Sequence, residues 1–206
     1  MNALHRLEIS IKDHLSPILR ADGFTGSGRT FRRVTGDFVQ VLNVQGSQTG
    51  GQFAINLGIQ PLRIPDVRGE KTDPKKITEV LCEFRRRLSE SGADQWWKYG
   101  ATQESMNDAM SAAAAVYRSK GREILEGFES PASPFHIVTA ESFKNGDYDL
   151  HGFGSTDVCM ALALARFKKA QGLSDQAIKF AHIGLASVGN ASLLRAELQG
   201  IVASVE

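Results

Sequence analysis

Alternating hydrophobic and polar positions mark out the middle of this chain. From Gln52 to Gln60, Phe53, Ile55, Leu57 and Ile59 alternate with Ala54, Asn56, Gly58 and Gln60, the period of two that makes a half-buried strand. The preceding segment, Asp37 to Gln45, is apolar in both registers through Phe38, Val39, Val41, Leu42 and Val44, which suits a central strand covered in part on both faces. Thr35-Gly36-Asp37 and Gly46 to Gly51 are turn sequences of hairpin length. The stretch from Arg29 to Gln60 is therefore expected to form three antiparallel strands. With Gly36 and Asp37 at the first tip, Phe31 falls beside Leu42 and Leu42 beside Ile55, giving one apolar face. The other face carries Thr30, Arg32, Asn43, Gln45 and Asn56.

Helical periodicity takes over on either side. Leu4, Leu7, Ile11, Leu15, Ile18 and Leu19 are spaced by three and four, an amphipathic stripe suited to covering the apolar sheet face, and Pro17 predicts a bend near Ser16. Residues 61–74 are polar, hold Pro65 and Gly69, and read as a long surface connection. Lys75 to Leu88 fits a helix through Ile77, Val80, Leu81, Phe84 and Leu88, but Cys82, Phe84 and Leu88 also fit an extended edge. A long helix is expected from Thr102 to Gly127, capped by Thr102 or Ser105 and bent or divided at Gly121. Ser130-Pro-Ala-Ser-Pro134 marks a boundary. Beyond it come a short helix over 139–145 and three more over about 155–169, 174–187 and 191–205. The small and apolar positions Leu164, Ala165, Gly172, Ala177 and Gly184 resemble a single tetratricopeptide helix pair.

These elements predict an α+β protein: an antiparallel β-meander of three to four strands covered by helices over residues 1–130, then an α-helical C-terminal tail over 131–206 packed on it.

Composition narrows the function classes. A formal net charge of +1 over 206 residues gives no global field to attract nucleic acid or a membrane surface, and no nucleic-acid motif accompanies Arg29, Arg32 and Arg33. Cys82 and Cys159 belong to no metal or disulfide spacing, and both are expected to be reduced thiols. Asp147, Asp149 and His151 lack the glycine and glutamate of a calcium loop. The N-terminus lacks a secretory apolar run, so the expected setting is the cytoplasm, with no catalytic residue, metal or cofactor nominated.

Two surfaces remain as candidates. One is a face built from the 61–74 loop and from Trp96, Trp97, Arg85, Arg86 and Arg87, residue types that anchor protein interfaces, with one indole expected in the core and Trp97 taken as the exposed one. It predicts a non-enzymatic protein-binding module, a toxin-neutralising immunity protein being one form. The alternative is a small-molecule or anion site on the polar sheet face, with Arg32 holding the anion and Asn43, Gln45 and Asn56 orienting it.

The order Gly23-Phe24, Thr30-Phe31-Arg32-Arg33, Gln45-Gly46-Ser47, Phe53-Ala-Ile-Asn56-Leu-Gly58, Cys82, Arg85 to Leu88 and Trp96-Trp97 resembles the bacterial domain-of-unknown-function family 4304 over about residues 3–128. The resemblance implies an α+β fold and carries no catalytic residue with it.

Overall fold

A computed structural model describes residues 3–129 and 133–204. The chain opens with helix α1 (Ala3–Ser10), a π-helical turn (Ile11–Leu15) and α2 (Ser16–Ala21). Pro17 accounts for the wide turn: it occupies the first turn of α2, where the missing N–H costs nothing, and the π turn before it absorbs the ring. The π turn ends at Leu15, next to the Ser16 where a bend is expected, Ser16 itself keeps helical dihedrals, and Leu7, Ile11, Leu15 and Leu19 are buried.

Five strands follow in spatial order as in sequence, each antiparallel to the next: β1 (Thr25–Ser27), β2 (Thr30–Thr35), β3 (Phe38–Gly46), β4 (Gln52–Pro61) and β5 (Phe84–Arg87). A sixth, β6 (Trp97–Lys98), pairs with the start of β4. Phe31 lies opposite Leu42 as expected, but Leu42 pairs with Leu57, not Ile55, which stands opposite Val44. The loop sets this register, because Ser47 N bonds to the Gln52 carbonyl at 2.9 Å and closes the hairpin two residues later. A slip of two keeps every side chain on its face.

One sheet face meets the helices. Phe31, Leu42, Leu57 and Phe84 share a continuous core with α1, α2 and α3 (Gln103–Val116). Thr102 caps α3 by accepting a bond from Ser105 N at 3.2 Å. After a second π turn, Tyr117–Gly121, comes α4 (Arg122–Glu126); a Cβ on Gly121 would stand 2.8 Å from the Tyr117 ring. Gln40, fully buried in this layer, is satisfied: its amide donates to the Leu125 carbonyl at 2.8 Å and its oxygen accepts from Arg33.

The C-terminal helices, α5 (Pro134–Ile137), α6 (Ala140–Asn145), α7 (Asp157–Ala170), α8 (Ser174–Ser187) and α9 (Ser192–Ala203), extend the same core. Phe38 of the sheet lies 5.7 Å from Phe135 and 5.8 Å from Phe167. Of the two readings open for Lys75 to Leu88, the helix is not formed: a single 3-10 turn at Glu79–Leu81 leads into the extended edge strand β5. The 61–82 crossover lies on the second face of the sheet, where Val39, Val41, Ile77 and Cys82 form a small core of their own. Nor is 61–74 a bare surface loop: Ile64, Asp66 and Thr72 are buried, and the Asp66 carboxylate accepts from Arg68 N and Glu70 N at 2.9 and 3.2 Å. These bonds and the paired Arg68 guanidinium outweigh burial and hold the Asp66 pKa below its ordinary value. No described helix is long and apolar enough to cross a membrane.

Candidate functional site

Strand alternation sets Thr30, Asn43, Asn56 and Arg87 in one cross-strand row on the second face. Asn43 Nδ2 donates to Thr30 Oγ1 at 2.9 Å, and Asn56 Nδ2 to Gln45 Oε1 at 2.8 Å. Arg87 reaches Asn56 Oδ1 and Gln45 Oε1, both at 3.3 Å. It also pairs with Asp94 at 2.9 Å and lies 4.5 Å from the Trp96 ring centre, while the indole N–H donates to Asp94. Two amides, a carboxylate and an indole thus fix this guanidinium.

Arg85 differs. It projects from the same face, opposite Gly58, and is exposed. Its guanidinium makes a long 3.4 Å bond to the Val80 carbonyl and, among the described residues, no ion pair. Gly58 makes this arrangement possible: a Cβ there would lie 2.8 Å from Cys82 Sγ and 3.2 Å from Glu79 Cα, so only glycine lets the 3-10 turn rest on the sheet and bring Glu79 and Val80 beside Arg85. Burial pushes the Glu79 carboxyl above its ordinary pKa, against the pull of Arg85 and Arg32.

Between these groups is an open cleft of about 580 Å³, lined by Gln45, Asn56, Glu79, Val80, Arg85, Arg87 and Asp94, with Arg86 and Gly154 at the sheet edge. On the other side of Arg85 a recess of about 170 Å³ opens between β5 and helices α7 and α9, where Val67, Leu162 and Leu194 supply apolar wall. Its floor holds Arg166, which donates to the Glu83 carboxylate at 2.6 Å and also bonds to Glu197. Burial pushes Glu83 up to about 7 even beside Arg166, and the Glu197 and Asp66 carboxylates add to that.

The sequence-nominated residues divide. Gln45, Asn56 and Arg85 meet in the cleft. Asn43 lies in the same row, bonded to Thr30. Arg32 is drawn away: its guanidinium donates to the Ile77 and Lys76 carbonyls, pinning the crossover to the sheet, and burial lowers its pKa. Arg86 projects from the opposite face of β5, donates to the His151 carbonyl and lies over the Phe153 ring. The assignment of the tryptophans is reversed. Trp97 is 6% exposed and stacks on Phe53, whereas Trp96 is half-buried at the cleft rim. Pairing of Trp97 with Phe53 fixes the parity, since Phe53 faces the core.

Glu79, Val80 and Asp94 escaped the sequence reading. Only Asp94 had a local signal, two residues before Trp96. Cys82 is buried against Gly58, and burial raises its thiol pKa, so it offers no ready thiolate. Among the described residues no group of three or more His, Cys, Asp or Glu side chains is arranged to hold a metal ion. Among the described residues lining the cleft, Arg85 is the exposed guanidinium that makes no ion pair.

A family model described as a domain of unknown function (DUF4304) matches residues 15–126, from the end of the first π turn through α4, so the sheet and most of the cleft lie inside it. Neither a curated protein nor a solved structure matches the chain. The match covers more than half of the 206 residues, and the chain belongs to the DUF4304 family.

Proposed function

We propose that this chain is a non-enzymatic recognition module that binds a protein partner by a carboxylate held at Arg85. The observation that carries this is the contrast between neighbouring arginines. Arg87 is neutralised by Asp94 and fixed, while Arg85, one strand repeat away, presents an exposed guanidinium to an open cleft. An arginine fork matches a carboxylate, and arginine is enriched at interface anchors. The half-buried Trp96 at the rim adds the other common anchor type. A small anion oriented by the sheet amides is less well served, because Asn43, Asn56 and Gln45 already bond to Thr30, to each other and to Arg87. The two free cysteines suit a reducing, cytoplasmic setting.

The test is a titration of the isotopically labelled chain with N-acetylglutamate α-amide, which carries one carboxylate, followed by amide and indole chemical shifts. Shifts should gather at Arg85, Asn56 and the Trp96 indole, and disappear in Arg85→Ala. No shift up to about 50 mM, where a contact of about 2 kcal/mol would register, or shifts indifferent to that substitution, would overturn the proposal.

A further inference from the structure

Arg85 belongs to two recesses at once: it walls both the larger cleft and the smaller one beneath α9. An aliphatic edge runs alongside it. Val67 N bonds to the Leu81 carbonyl at 3.2 Å, setting Val67, 44% exposed, beside Val80, 54% exposed, and Arg85 in turn bonds to the Val80 carbonyl. Leu194 of α9 continues this surface across the smaller recess. Single exposed aliphatic residues are ordinary, but a run of them around an unpaired cation marks a contact surface.

The charges on the rim restrict what can bind. Arg87 is already paired with Asp94 at the larger cleft, and Arg166 with Glu83 and Glu197 at the smaller one, so the further charges of a polyphosphate would find no unpaired guanidinium beside Arg85 on this face. One isolated negative charge with apolar neighbours needs Arg85 alone. We infer that the occupant is an extended segment of a partner protein, with an acidic side chain on Arg85 and a large aliphatic side chain two residues away between Val67 and Leu194. This rests on the carboxylate reading of Arg85 above and adds the second, apolar contact and the extended form of the ligand. A peptide in this form turns alternate side chains to the same face, about 6.6 Å apart along its axis.

The experiment is selection from a random twelve-residue peptide library displayed on phage, panned on the full chain, with enriched peptides remade and measured by fluorescence anisotropy. Enriched sequences should place Leu, Ile, Val or Phe two residues from Asp or Glu. Arg85→Glu and Val67→Asp should each weaken binding at least tenfold. Both positions are exposed, and unchanged melting curves would confirm that the variants fold. If the peptides bind Val67→Asp as well as the parent chain, the apolar contact is wrong. If no peptide is enriched while N-acetylglutamate α-amide still shifts Arg85, the extended ligand falls and the carboxylate site stands. If neither probe binds, both fall.

Discussion

The indole of Trp97 stacks on the ring of Phe53, with centres 5.8 Å apart and planes 20° from parallel. Tyr99 stacks on the other reach of the same ring at 6.3 Å, so the short β6 strand is sewn to β4 by aromatics as well as by its ladder. Its neighbour Trp96 points the opposite way, over Arg87. Trp97→Ala should therefore cost about 3–5 kcal/mol, the usual loss for a large buried aromatic. Trp96→Ala should cost under about 1 kcal/mol and alter only the Arg87 side of the cleft. Urea denaturation of the two variants checks this, and equal losses would contradict the opposed placement.

Gly58 predicts a second effect. Because an added Cβ would meet Cys82 Sγ at 2.8 Å and the Glu79 backbone at 3.2 Å, Gly58→Ala must push the 3-10 turn off the sheet. The expected loss is about 1–3 kcal/mol, with reduced Arg85-dependent binding because Val80 moves with the turn. Adding Cys82→Ala should restore part of the stability and not all of it, since the Glu79 contact remains. Full restoration would show that the sulfur alone sets the spacing.

Arg32 supplies a third. Its guanidinium is the tether between β2 and the Lys76 and Ile77 carbonyls, and a hydrogen bond from a charged donor contributes about 1.5–3 kcal/mol. Arg32→Met should leave the hydrophobic core intact and loosen residues 76–82 selectively. Amide exchange is the measurement, with the fastest gain in rate expected at Leu81 and Cys82, whose N–H groups close the turn onto Thr78 and Glu79.

How far the sequence alone reaches follows from what its patterns encode. The run from Thr30 to Pro61 is legible because a period of two and two glycine turns leave one topology, and only the loop closure at Ser47 shifts a pairing by two. Lys75 to Leu88 is not legible in the same way. Its apolar residues serve two small contacts, Ile77 and Cys82 on one face of the sheet and Phe84 and Leu88 on the other, and the crossing between faces mimics a helical period. Gln45, Asn56 and Arg85 can be found from alternation. The loss of Arg32 and Arg86 to structural work cannot, because their acceptors are backbone carbonyls at Ile77 and His151, which any residue type would supply.

The last prediction concerns pH. Glu83, just before β5, and Glu197 of α9 share one guanidinium, Arg166 of α7, so two carboxylates compete for a single positive charge in a place where water is scarce. Asp66 faces the same carboxyl from the crossover, and Arg85 stands two residues along β5. Burial dominates and raises the Glu83 pKa from an ordinary 4.5 to about 7. A carboxyl whose pKa rises on folding binds its proton more tightly in the native state. Its contribution to stability is thus complete below about 4.5 and is lost as pH climbs through 7, by about 3 kcal/mol over the full span. The tail helices should accordingly be held more firmly on β5 at pH 5.5 than at pH 8. Glu83→Gln keeps an acceptor for Arg166 and removes the titration, so its stability should be nearly level between those two values. Denaturant midpoints for the parent chain and Glu83→Gln at both pH values decide the matter: parallel slopes would mean that the proton sits elsewhere, while a slope confined to the parent would locate it on Glu83.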